Sequence, residues 1–167
     1  YILKNGYCGA FLVGFALHDE WMQQLKNTTM PTVLFDNYIE NNPNVAYVGT
    51  DSYEGIDMAV KHLHNLGHKK IAFINGSLFS VSNFIAAGAT AILCGSDTIA
   101  KGVISECQLH GFNVPNDISV VGFDDVKFAA ALTPPLTTIR QERNDLGRCA
   151  YIILNSLIHH IPISRTQ

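Results

Sequence analysis

Carboxylates recur where apolar runs end. Thr32–Phe35 is followed by Asp36 and Asn37, Val45–Gly49 by Thr50 and Asp51, and Thr90–Cys94 by Gly95, Ser96 and Asp97. Ser119–Phe123 is followed by Asp124 and Asp125, and Lys70–Ile74 ends in Asn75 and Gly76. Carboxylates and amides in such places suit bidentate hydrogen bonding to the hydroxyls of a sugar or related polyol, with Phe35 and Phe123 offering apolar faces. The same acids have a plainer use as helix N-caps and turn formers. Asp51 and Asp97 stand before helical patterns and take the plainer reading first. Asp36 and Asp124 have no strong helix immediately behind them, which favours the ligand role. Asp124 and Asp125 are neighbours on an extended segment, so their side chains point to opposite faces and do not make an acid–base pair; one of the two is assigned to structure.

Other chemistries find no residues to carry them. There is no GxSxG, GxGxxG, P-loop or HExxH motif. Seven histidines are scattered; His64 and His68 are four apart, but His68 follows Gly67, where the helical pattern stops. No metal, no cofactor and no enzymatic activity is expected. Cys8, Cys94, Cys107 and Cys149 lie far apart without a CxxC and read as buried, reduced thiols of a cytoplasmic protein. The 167 residues are 47% apolar, enough to bury a core. Only 15% are charged and the net charge is −3, so the chain has no basic face for binding nucleic acid by itself. No stretch is long and apolar enough to span a membrane.

The acids need strands to carry them. Ala10–Val13, within an apolar stretch Cys8–Phe15, Thr32–Phe35, Val45–Gly49, Lys70–Ile74, Thr90–Cys94, Ser119–Phe123 and Leu136–Ile139 read as strands. Helices are expected over Asp19–Lys26, from the cap Asp51 to Gly67, from Ser96 or Asp97 to Gly111, and from Asn144 or Asp145 to about Ile158. Strands alternating with helices imply parallel βαβ units of the α/β class, whose ligands bind at the carboxyl ends of the strands. Pro134–Pro135 stiffens the approach to Arg140 and Gln141, which suits a strand passing between lobes. One junction is odd. After "INGSLFSVSN" the stretch "FIAAGATAILCG" reads as the end of a helix without a start, and residues are expected to be missing between Asn83 and Phe84.

The stretches "VGTDSYEGIDMAVKHLHNLGHKKIAFING", "AILCGSDTIAKGVISECQLHGFNVPNDISVVGFDD" and "LTPPLTTIRQERNDLGRCAYIILNSLI" resemble the regulatory core of the LacI/GalR family of bacterial transcription regulators. The resemblance covers about residues 8–160. It implies an α/β, two-lobed, periplasmic-binding-protein-like fold, with parallel sheets flanked by helices, three crossing segments and a small effector bound between the lobes. Residues 1–49 and 142–158 would form one lobe and 50–141 the other, with 159–167 a truncated tail. The crossings would fall near Val48–Asp51, near Ile139–Gln141 and after Ile158. By motif, Phe35, Asp36, Thr50, Ser82, Ser96, Asp97, Asp124 and Gln141 lie at effector positions, which leaves Asp125 to structure.

The resemblance further implies a cytoplasmic homodimeric repressor whose effector, a neutral sugar, changes its affinity for operator DNA. An extracytoplasmic sugar-binding protein of a transport system, which shares the fold, is the alternative; against both stands an enzyme of the doubly wound class, such as a sugar-processing hydrolase, for which no nucleophile or metal signature is present. The sequence departs from the family in three ways. The helix-turn-helix, hinge helix and first core strand have no counterpart, so operator binding is expected from a domain ahead of Tyr1. Helix, strand and an effector-binding arginine that follow the Ser82 region in the family are absent. The tail stops before the family's last strand-like segment.

Overall fold

The computed structural model describes residues 6–14, 19–76 and 80–162. In chain order its elements are β1 (Ala10–Val13), α1 (Asp19–Lys26), β2 (Thr32–Phe35), β3 (Val45–Val48), α2 (Ser52–Asn65), β4 (Ile71–Ile74), α3 (Val81–Ala86), β5 (Ala91–Cys94), α4 (Asp97–Leu109), β6 (Ser119–Asp124), β7 (Thr137–Arg140) and α5 (Arg143–Ile158). They fall into two compact units, residues 1–50 with 142–167, and residues 51–141. The chain leaves one unit for the other at Thr50–Asp51 and at Gln141–Glu142. A third passage was expected after Ile158; His159–Pro162 still belong to the first unit, and residues 163–167 lie outside the described residues, as does Phe15 of the expected Cys8–Phe15 stretch.

The first unit holds a three-stranded sheet in the order β1-β2-β3, wholly parallel. Leu25 and Met22 of α1 pack with Leu12, Leu34, Ile39 and Val45. Helix α5 packs on β2 and β3. Gly9, just before β1, has Leu154 Cδ1 of α5 only 2.9 Å from where a Cβ would stand. Helix α5 begins at Arg143 after Glu142, two or three residues earlier than an Asn144 or Asp145 cap would start it, and Glu142 makes no side-chain capping bond.

The second unit holds a four-stranded parallel sheet, β4-β5-β6-β7. Its central strands β5 and β6 are buried on both faces and read as apolar runs, whereas β7 at the edge is Thr-Thr-Ile-Arg with exposed ends. Ala91, Leu93 and Val121 meet Ala59 and Leu63 of α2. Their neighbours Ile92, Cys94 and Val120 meet Ala100, Val103, Ile104 and Cys107 of α4 and Val81 of α3. Helix α2 comes so close to the sheet that Gly55 touches the Phe123 ring; a Cβ there would lie 2.7 Å from Phe123 Cε2. Asp51 caps α2 by accepting the N–H groups of Tyr53 (3.0 Å) and Glu54 (3.1 Å), and Gly67 past its end has φ +93°.

Helix α3 runs through the Asn83–Phe84 junction, and the Phe84 N–H reaches the Ser80 carbonyl at 3.4 Å. Ser80, in extended conformation, precedes the helix without a side-chain capping bond, which is why no start signal was legible. Cys94 and Cys107 are buried as expected, but Cys8 and Cys149 are exposed. Cys149 stands on α5 next to Ala150, which takes the sheet-facing place, so the thiol is turned outward.

Candidate functional site

Because every strand of a sheet runs the same way, all carboxyl ends in a unit gather at one edge. In the second unit that edge carries Asn75, Gly95-Ser96, Asp124 and Gln141. Asp124 is half-buried and Gln141 Nε2 donates to its Oδ1 at 2.8 Å. Asp125 turns to another partner, accepting Arg140 Nε on Oδ2 at 2.6 Å, in accord with its structural assignment. The sheet register sets Asp124 opposite Arg140, so β7 delivers both partners to the tip of β6.

The backbone at this tip is unusual. Asp124 has φ +120° and Asp125 φ +52°, conformations that L side chains rarely adopt. Each costs about 1–3 kcal/mol and persists only where the surroundings over-determine it, a pattern that concentrates at functional sites. In the first unit, Phe35 is likewise followed by an acid with positive φ, Asp36 at +55°. Asp36 is exposed, and its N–H bonds to the Val48 carbonyl at 3.1 Å. Its Oδ1 uses the space that a Cβ on Gly49 would fill, 2.9 Å away. Asn37 secures the turn by donating Nδ2 to the carbonyls of Gly14 (2.6 Å) and Phe35 (3.0 Å).

The remaining expected residues fall differently. Ser96 is the N-cap of α4, accepting the Ile99 N–H on Oγ at 3.2 Å, and its hydroxyl proton stays available to an acceptor. Thr50 is half-buried at the end of β3, and Phe35 is half-buried with its ring edge-on to Phe11 at 6.3 Å. Ser82 sits on the first turn of α3 rather than at a strand end. Asp97, assigned by motif to the effector, is fully buried. Its carboxylate accepts the Val126 N–H (2.8 Å) and the Thr138 hydroxyl (2.5 Å), which takes it out of reach of a ligand. Phe123 offers no open face either; it is 6% exposed and lies against Gly55.

Two contributors were not singled out in the sequence, Thr138 and Gly122, and Arg140 was read only as part of a passing strand. Gly122 admits Asp97 Oδ1, and a Cβ there would also meet Leu136 Cδ2 at 2.8 Å. A glycine inside an apolar strand was the available signal, since it marks a close approach. Among the described residues there is no group of three metal-ligating side chains and no helix long and apolar enough to cross a membrane.

Residues 75–167, more than half of the chain, match the family of the periplasmic binding protein-like domain. An uncharacterized HTH-type transcriptional regulator of Streptomyces limosus is 31% identical over 86% of this chain and 53% of its own length. The HTH-type transcriptional repressor PurR of Aliivibrio salmonicida is 30% identical over 86% of this chain and 56% of its own. The chain thus spans about half the length of the curated relatives it matches. Among solved structures, a periplasmic binding protein/LacI transcriptional regulator from Alkaliphilus metalliredigens, complexed with D-xylulofuranose, superposes with a TM-score of 0.83. It is 19% identical, over 98% of this chain and 74% of that one. With two wholly parallel sheets and these relatives, the chain belongs to the periplasmic binding protein-like domain family, as a core of the LacI/GalR type.

Proposed function

We propose that the chain is the effector-binding part of a ligand-responsive bacterial transcription repressor, and that its effector is a small neutral sugar. The observation that carries this reading is Asp124, held with positive φ at the end of a parallel strand with the Gln141 amide on its carboxylate. A carboxylate and an adjacent amide together offer acceptors and donors to vicinal hydroxyls. Ser96 adds a hydroxyl on the same unit. Asp36, Thr50 and Phe35 of the first unit are the further proposed contacts, two polar and one apolar, and Ser82 completes the set. Two acids disfavour a phosphorylated ligand by charge repulsion.

Binding favours one of two conformations and so changes the affinity for operator DNA by the difference in ligand affinity between them. The operator is read by a helix-turn-helix domain outside these residues, in a two-fold dimer, because such operators are pseudo-palindromic. The site of action is the cytoplasm. The curated relatives, named as transcription regulators, support this over a sugar-binding protein of a transporter.

Thermal-shift and calorimetric titration of the chain with D-ribose, D-xylulose, cellobiose, glucose 6-phosphate and hypoxanthine tests the reading. A neutral sugar at about a hundredfold excess over its Kd raises stability by ~2.7 kcal/mol. A response to the phosphate or the purine alone would overturn it.

A further inference from the structure

We infer that Asp97 is a positioning residue for Asp124: it never touches the ligand but holds the turn that aims the ligand-binding carboxylate. The inference rests on the proposed function for what Asp124 binds, and on the structure for how Asp124 is held. The strained pair Asp124-Asp125 is followed directly by Val126, whose N–H donates to Asp97 Oδ2 at 2.8 Å. The other oxygen, Oδ1, accepts the Thr138 hydroxyl at 2.5 Å. The Thr138 oxygen in turn accepts the Asp125 N–H at 3.4 Å. The two backbone N–H groups that follow Asp124 therefore both end on one buried carboxylate, one directly and one through Thr138.

The arrangement is built rather than incidental. Asp97 is fully buried at the first position of α4, a helix that packs on β6 and β5. Gly122, two residues before Asp124, has no side chain and leaves the carboxylate its space. Thr138 belongs to β7, the strand that also supplies Arg140 to Asp125 and leads directly to Gln141 on Asp124. One carboxylate thus ties α4, the turn after β6 and strand β7 together beneath the ligand group. Its geometry excludes direct ligand contact, since both oxygens face the chain's own donors.

The test compares Thr138→Val, which removes the relay hydroxyl at equal volume, with Thr138→Ser, which keeps it, in the 167-residue chain. Three quantities are read: the melting temperature, the Gln141 side-chain amide resonances (assigned by their loss in Gln141→Glu), and affinity for D-ribose. The expected result is that Thr138→Val moves the Gln141 amide signals and weakens ribose binding about tenfold, while Thr138→Ser restores both. A role in stability alone would lower the melting temperature and leave the Gln141 signals in place, and that result would overturn the inference. If Thr138→Val does not fold, the same readings on Asp97→Asn decide. If the unaltered chain binds no D-ribose, the sugar reading fails for that ligand, and the amide signals still decide whether Asp97 positions Asp124.

Discussion

Gln141 Nε2 donates to Asp124 Oδ1 at 2.8 Å, and Gln141 is the last residue of the second unit before the chain enters the first. The proposed ligand-binding acid is thereby bonded to the segment through which the chain leaves its unit. On the proposed reading, a sugar hydroxyl at Asp124 would share this carboxylate with the Gln141 amide or displace it.

Asp124→Gly separates stability from binding. Glycine adopts φ +120° without the side-chain penalty of about 1–3 kcal/mol, and loss of the Gln141 hydrogen bond, about 0.5–1.5 kcal/mol, offsets part of that relief, so the fold is expected to hold or gain stability. The same change removes the carboxylate, and affinity for the sugar identified by titration should fall at least about tenfold. A higher melting temperature with unchanged sugar affinity would show that Asp124 is not the ligand group.

Gly49→Ala acts on the first unit. The new methyl would stand 2.9 Å from Asp36 Oδ1 and displace that carboxylate. Asp36 is exposed and can turn away, so the melting temperature should change little while sugar affinity falls. Equal affinity in the variant and the parent would remove Asp36 from the proposed contacts.

Gly55→Ala acts on packing alone. The methyl would meet Phe123 Cε2 at 2.7 Å and Ile139 Cγ2 at 3.3 Å, between a helix and a sheet that cannot easily part. Overpacking of this kind costs about 1–3 kcal/mol, and for a chain of this size each kcal/mol lowers Tm by roughly 2–4 °C. Denaturant or thermal unfolding measures it.

The thiols should divide into two classes. Cys8 and Cys149 are exposed and should react promptly with a maleimide in the native state; Cys94 and Cys107 are buried and should react only on unfolding. Burial, with smaller contributions from Cys107 and Asp97, pushes the Cys94 thiol up from 9.0 to about 12. A raised folded pKa means that the native state holds its proton longer than the unfolded chain. The contribution of Cys94 to stability is therefore intact below about pH 9 and is lost as the pH rises from there towards 12. Cys94→Ala should flatten that alkaline slope of stability against pH.

Local signals made much of the fold legible. Asp51 and Gly67 bracket α2, Ser96 and Gly111 bracket α4, and the apolar runs became strands within a residue or so at either end. These features depend on neighbours a few positions away, so the order of residues is enough to determine them. So too with the acids at strand ends, once the strands are parallel. Helix starts without capping bonds, at Ser80 and Glu142, carried no such signal.

The division of labour among the acids was hinted at by the helical pattern behind Asp97 and decided in three dimensions. Asp97 and Asp124 each end an apolar run, and by motif both lie at effector positions. Asp97 is buried beneath donors from Val126 and Thr138, 29 and 41 positions away, whereas Asp124 is half-buried with an amide on it. Phe123 and Phe35 likewise share a motif, yet one is covered by a helix that comes close enough only because Gly55 has no side chain. Burial and hydrogen-bond partnership arise from contacts between distant parts of the chain, so sequence determined which groups were present and tertiary packing decided which of them a ligand can reach.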